Sequence, residues 1–95
     1  MIKFDWDENK NRENFKKHKI TFEEASTIFN NLPFQVFFDP DHSETEERYI
    51  AFGFSDWGKG LMVVHCENKT GSVIRIISAR VATKKEQKNA FGGKS

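Results

Sequence analysis

Three arginines are the residues of this sequence best suited to chemistry. Arg75 and Arg80 bracket the block Arg-Ile-Ile-Ser-Ala-Arg, and Arg48 opens an alternating segment further upstream. A planar guanidinium grips two oxygens of one anion, which a lysine cannot do. Arg80 closes its segment just before an expected helix N-terminus, where backbone N–H groups also favour phosphate. Lys84 and Lys85 fall in the first turn of that helix, a position the dipole disfavours for cations unless an anion is bound there. The plainer alternatives are a strand-end charge at Arg80 and an ion pair of Arg48 with Glu46 or Glu47. Arg75 and Arg80 stand five positions apart, which sends them to opposite faces of a strand unless a bulge intervenes.

Proton carriers are also present. His18, within Lys16-Lys17-His18-Lys19, ends an expected helix where an imidazolium is favoured, either as a cap or as an acid–base group. His65 shares a face with Leu61 and Val63 and fits a buried core histidine with one hydrogen bond. His42 lies in turn chemistry and fits a solvated side chain. Glu46, Glu47 and Glu86 are candidate bases, although Glu86 is also placed to complete a capping box. Spacing does not separate general acid from general base. No His-x-His, His-x₃-His or Cys pair has metal-ligand spacing, so neither a metal site nor a cofactor is expected.

The elements that must position these groups follow from periodicity. Residues 2–6 alternate as a half-buried strand, and Asp7 can cap a helix from about Glu8 to His18 whose clear apolar anchor is Phe15. Thr21-Phe-Glu-Glu24 has the form of a capping box, and Phe22, Ala25, Ile28 and Phe29 continue a second helix to about Asn30, ended by Pro33. Strands are expected at 34–38, 48–55, 61–66 and 73–80. The turns between them lie at 39–43, in a five-residue hairpin loop at 56–60, and at 68–71. Thr83-Lys-Lys-Glu86 opens a C-terminal helix that ends near Phe91-Gly92-Gly93, with a flexible tail after it. The expected class is α+β: a two-layer fold with a small antiparallel meander, two N-terminal helices packed on one face, and a C-terminal helix. Apolar residues on both parities of the central strands imply that the second face is also covered, by the C-terminal helix or by a partner.

Composition narrows the class. The chain has 95 residues, and its ten Phe, two Trp and one Tyr allow a sizeable core for its length and argue against disorder. One domain spanning 1–95 is expected. No membrane span or secretion segment is recognisable, and the single Cys66 excludes an internal disulfide, so a soluble cytoplasmic protein is expected. The net charge of +1 conceals segregation. Residues 10–19 hold five Lys or Arg, 39–47 hold five acids, and 75–94 hold six Lys or Arg. Basic ends around an acidic middle can form a local anion-binding face, or simply three solvated surfaces.

Trp6-Asp-Glu-Asn-Lys10, Asn14, Lys17-His18 and Thr21-Phe-Glu-Glu-Ala25 resemble the opening of the BrnT family. The likeness continues through Glu47-Arg-Tyr-Ile50 and Leu61-Met-Val-Val-His65. It is strongest at Arg75-Ile-Ile-Ser-Ala-Arg80 followed by Ala82-Thr-Lys-Lys-Glu86. The resemblance implies a RelE-like fold, the toxin role in a bacterial type II toxin–antitoxin system, ribonuclease activity that arrests growth, and neutralisation by a DNA-binding antitoxin. Two departures are Gly58-Lys59-Gly60, where relatives often carry Gly-Arg, and Asn89-Ala-Phe91, where many carry a Tyr.

Given that resemblance, RNA cleavage by 2′-OH attack needs a base, an acid and cations for the phosphorane, each proton transfer being worth typically ~100- to 10,000-fold. Arg80, Arg48, His18 and Glu47 are the expected catalytic residues, and Lys17, Arg75, Lys84, Lys85 and Lys59 the expected phosphate contacts. The expected partners are RNA and a BrnA-like antitoxin in a 2:2 assembly, with operator DNA bound only through the antitoxin and no membrane involved. The alternative is a non-catalytic RNA- or protein-binding module of the same fold.

Overall fold

The computed structural model describes residues 2–39 and 47–92. His42, Glu46, most of the expected turn at 39–43 and the expected tail lie outside the described residues. The chain runs β1 (Lys3–Asp5), α1 (Glu8–His18), α2 (Phe22–Ser26), a 3₁₀ helix (Thr27–Asn30), β2 (Gln35–Phe38), β3 (Arg48–Phe54), β4 (Gly60–Glu67), β5 (Val73–Val81) and α3 (Lys84–Ala90).

Local chemistry accounts for the helix ends. Asp7 Oδ1 accepts from the Asn9 and Lys10 amides at 2.8 and 3.3 Å. Lys19 then stops α1 in the left-handed region (φ 62°), with its N–H on the Phe15 carbonyl. Thr83 and Glu86 form the full capping box of α3. At Thr21 only half a box forms. Its hydroxyl accepts from the Glu24 amide, but the Glu24 side chain turns inward and accepts from Ser55 Oγ at 2.8 Å. A buried hydroxyl partner wins over an exposed backbone one.

The five strands form one sheet in the order β1-β5-β4-β3-β2. The antiparallel meander holds for β2 to β5, but β1 lies parallel to β5, pairing Lys3–Asp5 with Val73–Arg75, so the sheet is mixed. One face carries α1 and α2: Ile20, Phe22, Ala25 and Ile28 pack on Ala51, Leu61, Val63, Ile74, Ile76 and Ala79. Gly53 lets the 3₁₀ segment approach, since a Cβ there would stand 3.0 Å from both Ile28 Cβ and Phe34 Cβ.

The other face is covered at one end by α3. Phe91 meets Phe54 at 5.3 Å between ring centroids, and Gln87 sits over Gly60, where a Cβ would meet it at 2.8 Å. Docking of the C-terminal helix therefore supplies part of the cover that the apolar central strands require, and the fold has a third, partial layer.

Two expectations about α1 and β5 are corrected. Phe15 is 47% exposed and does not anchor α1; Asn11 and Asn14, 6% and 7% exposed, do. Asn11 Oδ1 accepts from the Phe22 amide at 2.8 Å, and its Nδ2 donates to Glu23. Asn14 Nδ2 donates to the Ile20 and Ala79 carbonyls, both at 2.8 Å, while its Oδ1 accepts from the Ala79 amide at 3.1 Å. One amide side chain thus behaves toward β5 as a neighbouring strand would. In β5 itself, His65 faces Ile76 while Val64 faces Ser78, so Ile77 is an inserted residue. Beyond it the parity reverses. Ala79, rather than Arg80, continues the core face of Ile74 and Ile76.

Candidate functional site

The bulge determines which charged groups meet. Arg75, Ser78 and Arg80 now share the face opposite α1 and α2, paired across β4 with Cys66, Val64 and Met62. On β3 the same rows continue through Arg48, Ile50 and Phe52. Arg48 and Arg75 therefore flank Cys66 on either side of β4, and Asp5 of β1 stands beside Arg75. Arg80 lies two rows further along, against α3.

Arg80 is held firmly. Its Nη1 donates to Glu86 Oε1 at 2.9 Å and to the Val81 carbonyl, and its Nη2 donates to Glu86 Oε2 at 2.8 Å and to Met62 Sδ. Glu86 Oε1 also accepts from the Thr83 amide at 2.9 Å. The guanidinium holds the Glu86 carboxyl at about 2, well below its ordinary value, and the same contact raises Arg80. The plainer reading of Glu86 is thus realised, since it caps α3, and Arg80 is a strand-end charge that is also ion-paired to it, a pairing the spacing did not single out.

At the β5 edge, where α1 takes over from β1, a cleft of about 490 Å³ is lined by Lys10, Glu13, Asn14, Lys17, His18, Ile77 and Ser78. The bulge thus brings His18 and Lys17 to the same opening as Ser78, which lies between Arg75 and Arg80 along the strand. Lys84 and Lys85 are exposed on the first turn of α3, whose Glu86 holds Arg80.

Two expected residues stand elsewhere. Glu47 accepts from the Tyr49 hydroxyl at 3.0 Å, and Tyr49 stacks on His65 on the α1/α2 side of the sheet. The carboxylate raises the Tyr49 hydroxyl above its ordinary value. Lys59 approaches Glu24 at 4.0 Å, at the hairpin end of the molecule. His65 is wholly buried and its Nε2 lies 3.0 Å from Glu67 Oε2, as expected of a core histidine with one hydrogen bond. Neighbours that spacing did not single out are Ser78 and Met62, because their place depends on the bulge. Among the described residues, no three His, Cys, Asp or Glu side chains converge as metal ligands, and no helix is long and apolar enough to cross a membrane.

The fold is similar to the 1.1 Å crystal structure of the Brucella abortus ribonuclease toxin BrnT. That match has a TM-score of 0.62 and 21% identity, and covers 88% of this chain and 100% of that one. No curated protein matches. Residues 6–86 match the family described as "Ribonuclease toxin, BrnT, of type II toxin-antitoxin system", and with Arg75, Arg80, His18 and the helix caps all inside that span the chain belongs to the BrnT family of ribonuclease toxins.

Proposed function

We propose that this chain is a metal-independent endoribonuclease of the cytoplasm, a single domain over 1–95, that cuts RNA by attack of the 2′-OH and arrests growth or translation. The observation that supports it best is the insertion at Ile77, which gives Arg75, Ser78 and Arg80 one face, shared with Arg48, and opens that face onto the cleft of Lys17 and His18. Guanidiniums supply the positive charge that a phosphorane needs. Arg80 contacts the scissile phosphate, and Arg48, two rows away on β3, joins Arg75, Lys17, Lys84 and Lys85 in holding the flanking backbone. His18, which lines the cleft beside Ser78, is the proton carrier of this arrangement. Glu47 and Lys59, on other surfaces of the free protein, have no part in this arrangement.

Incubating the purified protein with total RNA, with and without EDTA, tests the proposal. EDTA-insensitive fragments with 5′-OH ends are expected; intact RNA over a wide range of protein concentration would refute it and favour a binding module. Arg80→Ala should relieve growth arrest with folding retained, and Arg80→Lys should rescue only partly, because an ammonium cannot make the bidentate contact. A fully toxic Arg80→Ala chain would remove Arg80 from the mechanism.

The type II family implies an antitoxin. We place it across the basic face as an acidic or amphipathic segment of a BrnA-like, DNA-binding dimer, in a 2:2 complex that touches operator DNA only through the antitoxin. An obligate interface of this kind exceeds ~2,000 Å² in total. Light scattering on the co-expressed pair should give the mass of a heterotetramer.

A further inference from the structure

We propose that the Glu86 carboxylate is an internal stand-in for an RNA phosphate in the Arg80 fork, which the substrate must exchange for its own, so that Glu86 sets the affinity of the site. The inference rests on the phosphate role given to Arg80 above and adds the competitor built into the chain.

The geometry carries it. Each Glu86 oxygen takes one Arg80 nitrogen, at 2.9 and 2.8 Å, in the side-by-side fork that two non-bridging oxygens of a phosphodiester would also offer. The other contacts of the two nitrogens go to Val81 O and Met62 Sδ. Both terminal nitrogens are therefore committed in the free protein, and a phosphate gains the end-on grip of both only by displacing the carboxylate. Exchange is feasible because the pair is not sealed in: the Arg80 and Glu86 side chains are 33% and 29% exposed. The released carboxylate keeps a place to go, since Oε1 also accepts from the Thr83 amide and remains in the capping box of α3. Glu86 is consequently a positioning residue. It holds the empty fork in one orientation, and binding opposes its attraction for Arg80.

Glu86→Gln separates these roles. A Gln at that position still completes the capping box, so α3 stays folded, but the charge and one acceptor of the fork are gone. Binding is measured on the purified full chain with a labelled 2′-O-methyl oligoribonucleotide, which cannot be cut by 2′-OH attack. Exposed and partly exposed ion pairs set the scale, so Glu86→Gln should tighten binding about 2- to 5-fold. Simple removal of repulsion between Glu86 and RNA would also tighten binding, and the Arg80→Ala background distinguishes the two. With Arg80 absent, Glu86→Gln should change affinity by less than about 1.5-fold, within the scatter expected of independent sites. Arg80→Ala alone should flatten the dependence of log affinity on log salt by about 0.7, one single-strand phosphate contact.

Weaker or unchanged binding by Glu86→Gln, or equal tightening with and without Arg80, overturns the stand-in role while leaving Arg80's phosphate role intact. An unchanged salt slope in Arg80→Ala, or no RNA binding by the wild type, overturns the role of Arg80 and the stand-in with it.

Discussion

Asn14 is the residue whose removal should cost this fold most for its size. Its side chain satisfies the Ala79 amide and the carbonyls of Ile20 and Ala79 in one buried cluster. Asn14→Ala leaves all three without that partner. An orphaned buried polar group costs about 1–3 kcal/mol, so the upper bound is several kcal/mol. The cleft beside α1 is lined in part by Asn14 itself, and water admitted there would restore some of the bonds. A loss of about 2–4 kcal/mol is expected. For a domain of this length it lowers the melting temperature by roughly 10–25 °C.

Phe15→Ala, which removes an aromatic side chain from a half-exposed position, should cost under about 1 kcal/mol. The assay is urea and thermal unfolding followed by circular dichroism, with the denaturant slope checked for constancy. Asn14→Asp sharpens the test. A carboxylate can accept from the Ala79 amide but cannot donate to two carbonyls, so the folded state raises its pKa. The sign follows: the folded state favours the protonated form, so this variant should regain stability as the pH falls from its raised folded pKa toward about 4, where the gain is complete, and lose it as the pH rises through that folded pKa. An Asn14→Ala loss below about 1 kcal/mol, or a larger loss for Phe15→Ala, would refute the assignment of the anchor.

Two further outcomes are accessible to spectroscopy. Tyr49 is the single tyrosine of the chain, so alkaline absorbance titration reads it alone; its midpoint should lie above 10.0 and fall in Glu47→Gln, because the Glu47 hydrogen bond is the largest cause of the rise. Carboxyl NMR titration should place Glu86 near 2 and return it toward its ordinary value in Arg80→Ala. Because the folded pKa is the lower one, the contribution of Glu86 to α3 docking is present above the ordinary carboxylate range and lost as the pH falls through about 2.

Much of the architecture was legible because its signals are local. The capping sequences at Asp7, Thr21 and Thr83, the period-2 alternation of 48–55 and the turn at Asn68-Lys-Thr-Gly71 each depend on a few adjacent residues, and the elements begin and end within a residue or two of them. The parallel pairing of β1 was hidden because nothing in Lys3–Asp5 records a partner some seventy positions away. The anchor of α1 was hidden because an asparagine in a polar helix gives no sign of burial. Periodicity looks for an apolar stripe, whereas here the contact is made by amide hydrogen bonds to a strand edge. For the candidate site, the relevant residue types were visible but their grouping was not. A bulge changes parity without changing composition, so Arg75 and Arg80 remain on opposite faces until the insertion is seen.

The bulge lies where β5 changes neighbours. Up to Arg75 its outer edge is paired with β1, and at Ala79 it is paired with the side chain of Asn14. Between these points the edge passes from a strand at ladder spacing to a helix, whose backbone cannot enter a ladder and must stand further off. Insertion of Ile77 gives β5 the local bend and added twist that such a change requires. The same extra residue keeps Ala79, small enough to lie beneath α1, on the core face and sends Arg80 outward. Without it, a guanidinium would face Ile20, Phe22 and Leu61, and a charge buried there without partners would cost several kcal/mol. Core packing alone therefore demands the parity change, and the basic face is its consequence. A fold that had to pass from β1 to α1 along one strand was left with Arg75, Ser78 and Arg80 in successive rows of one face.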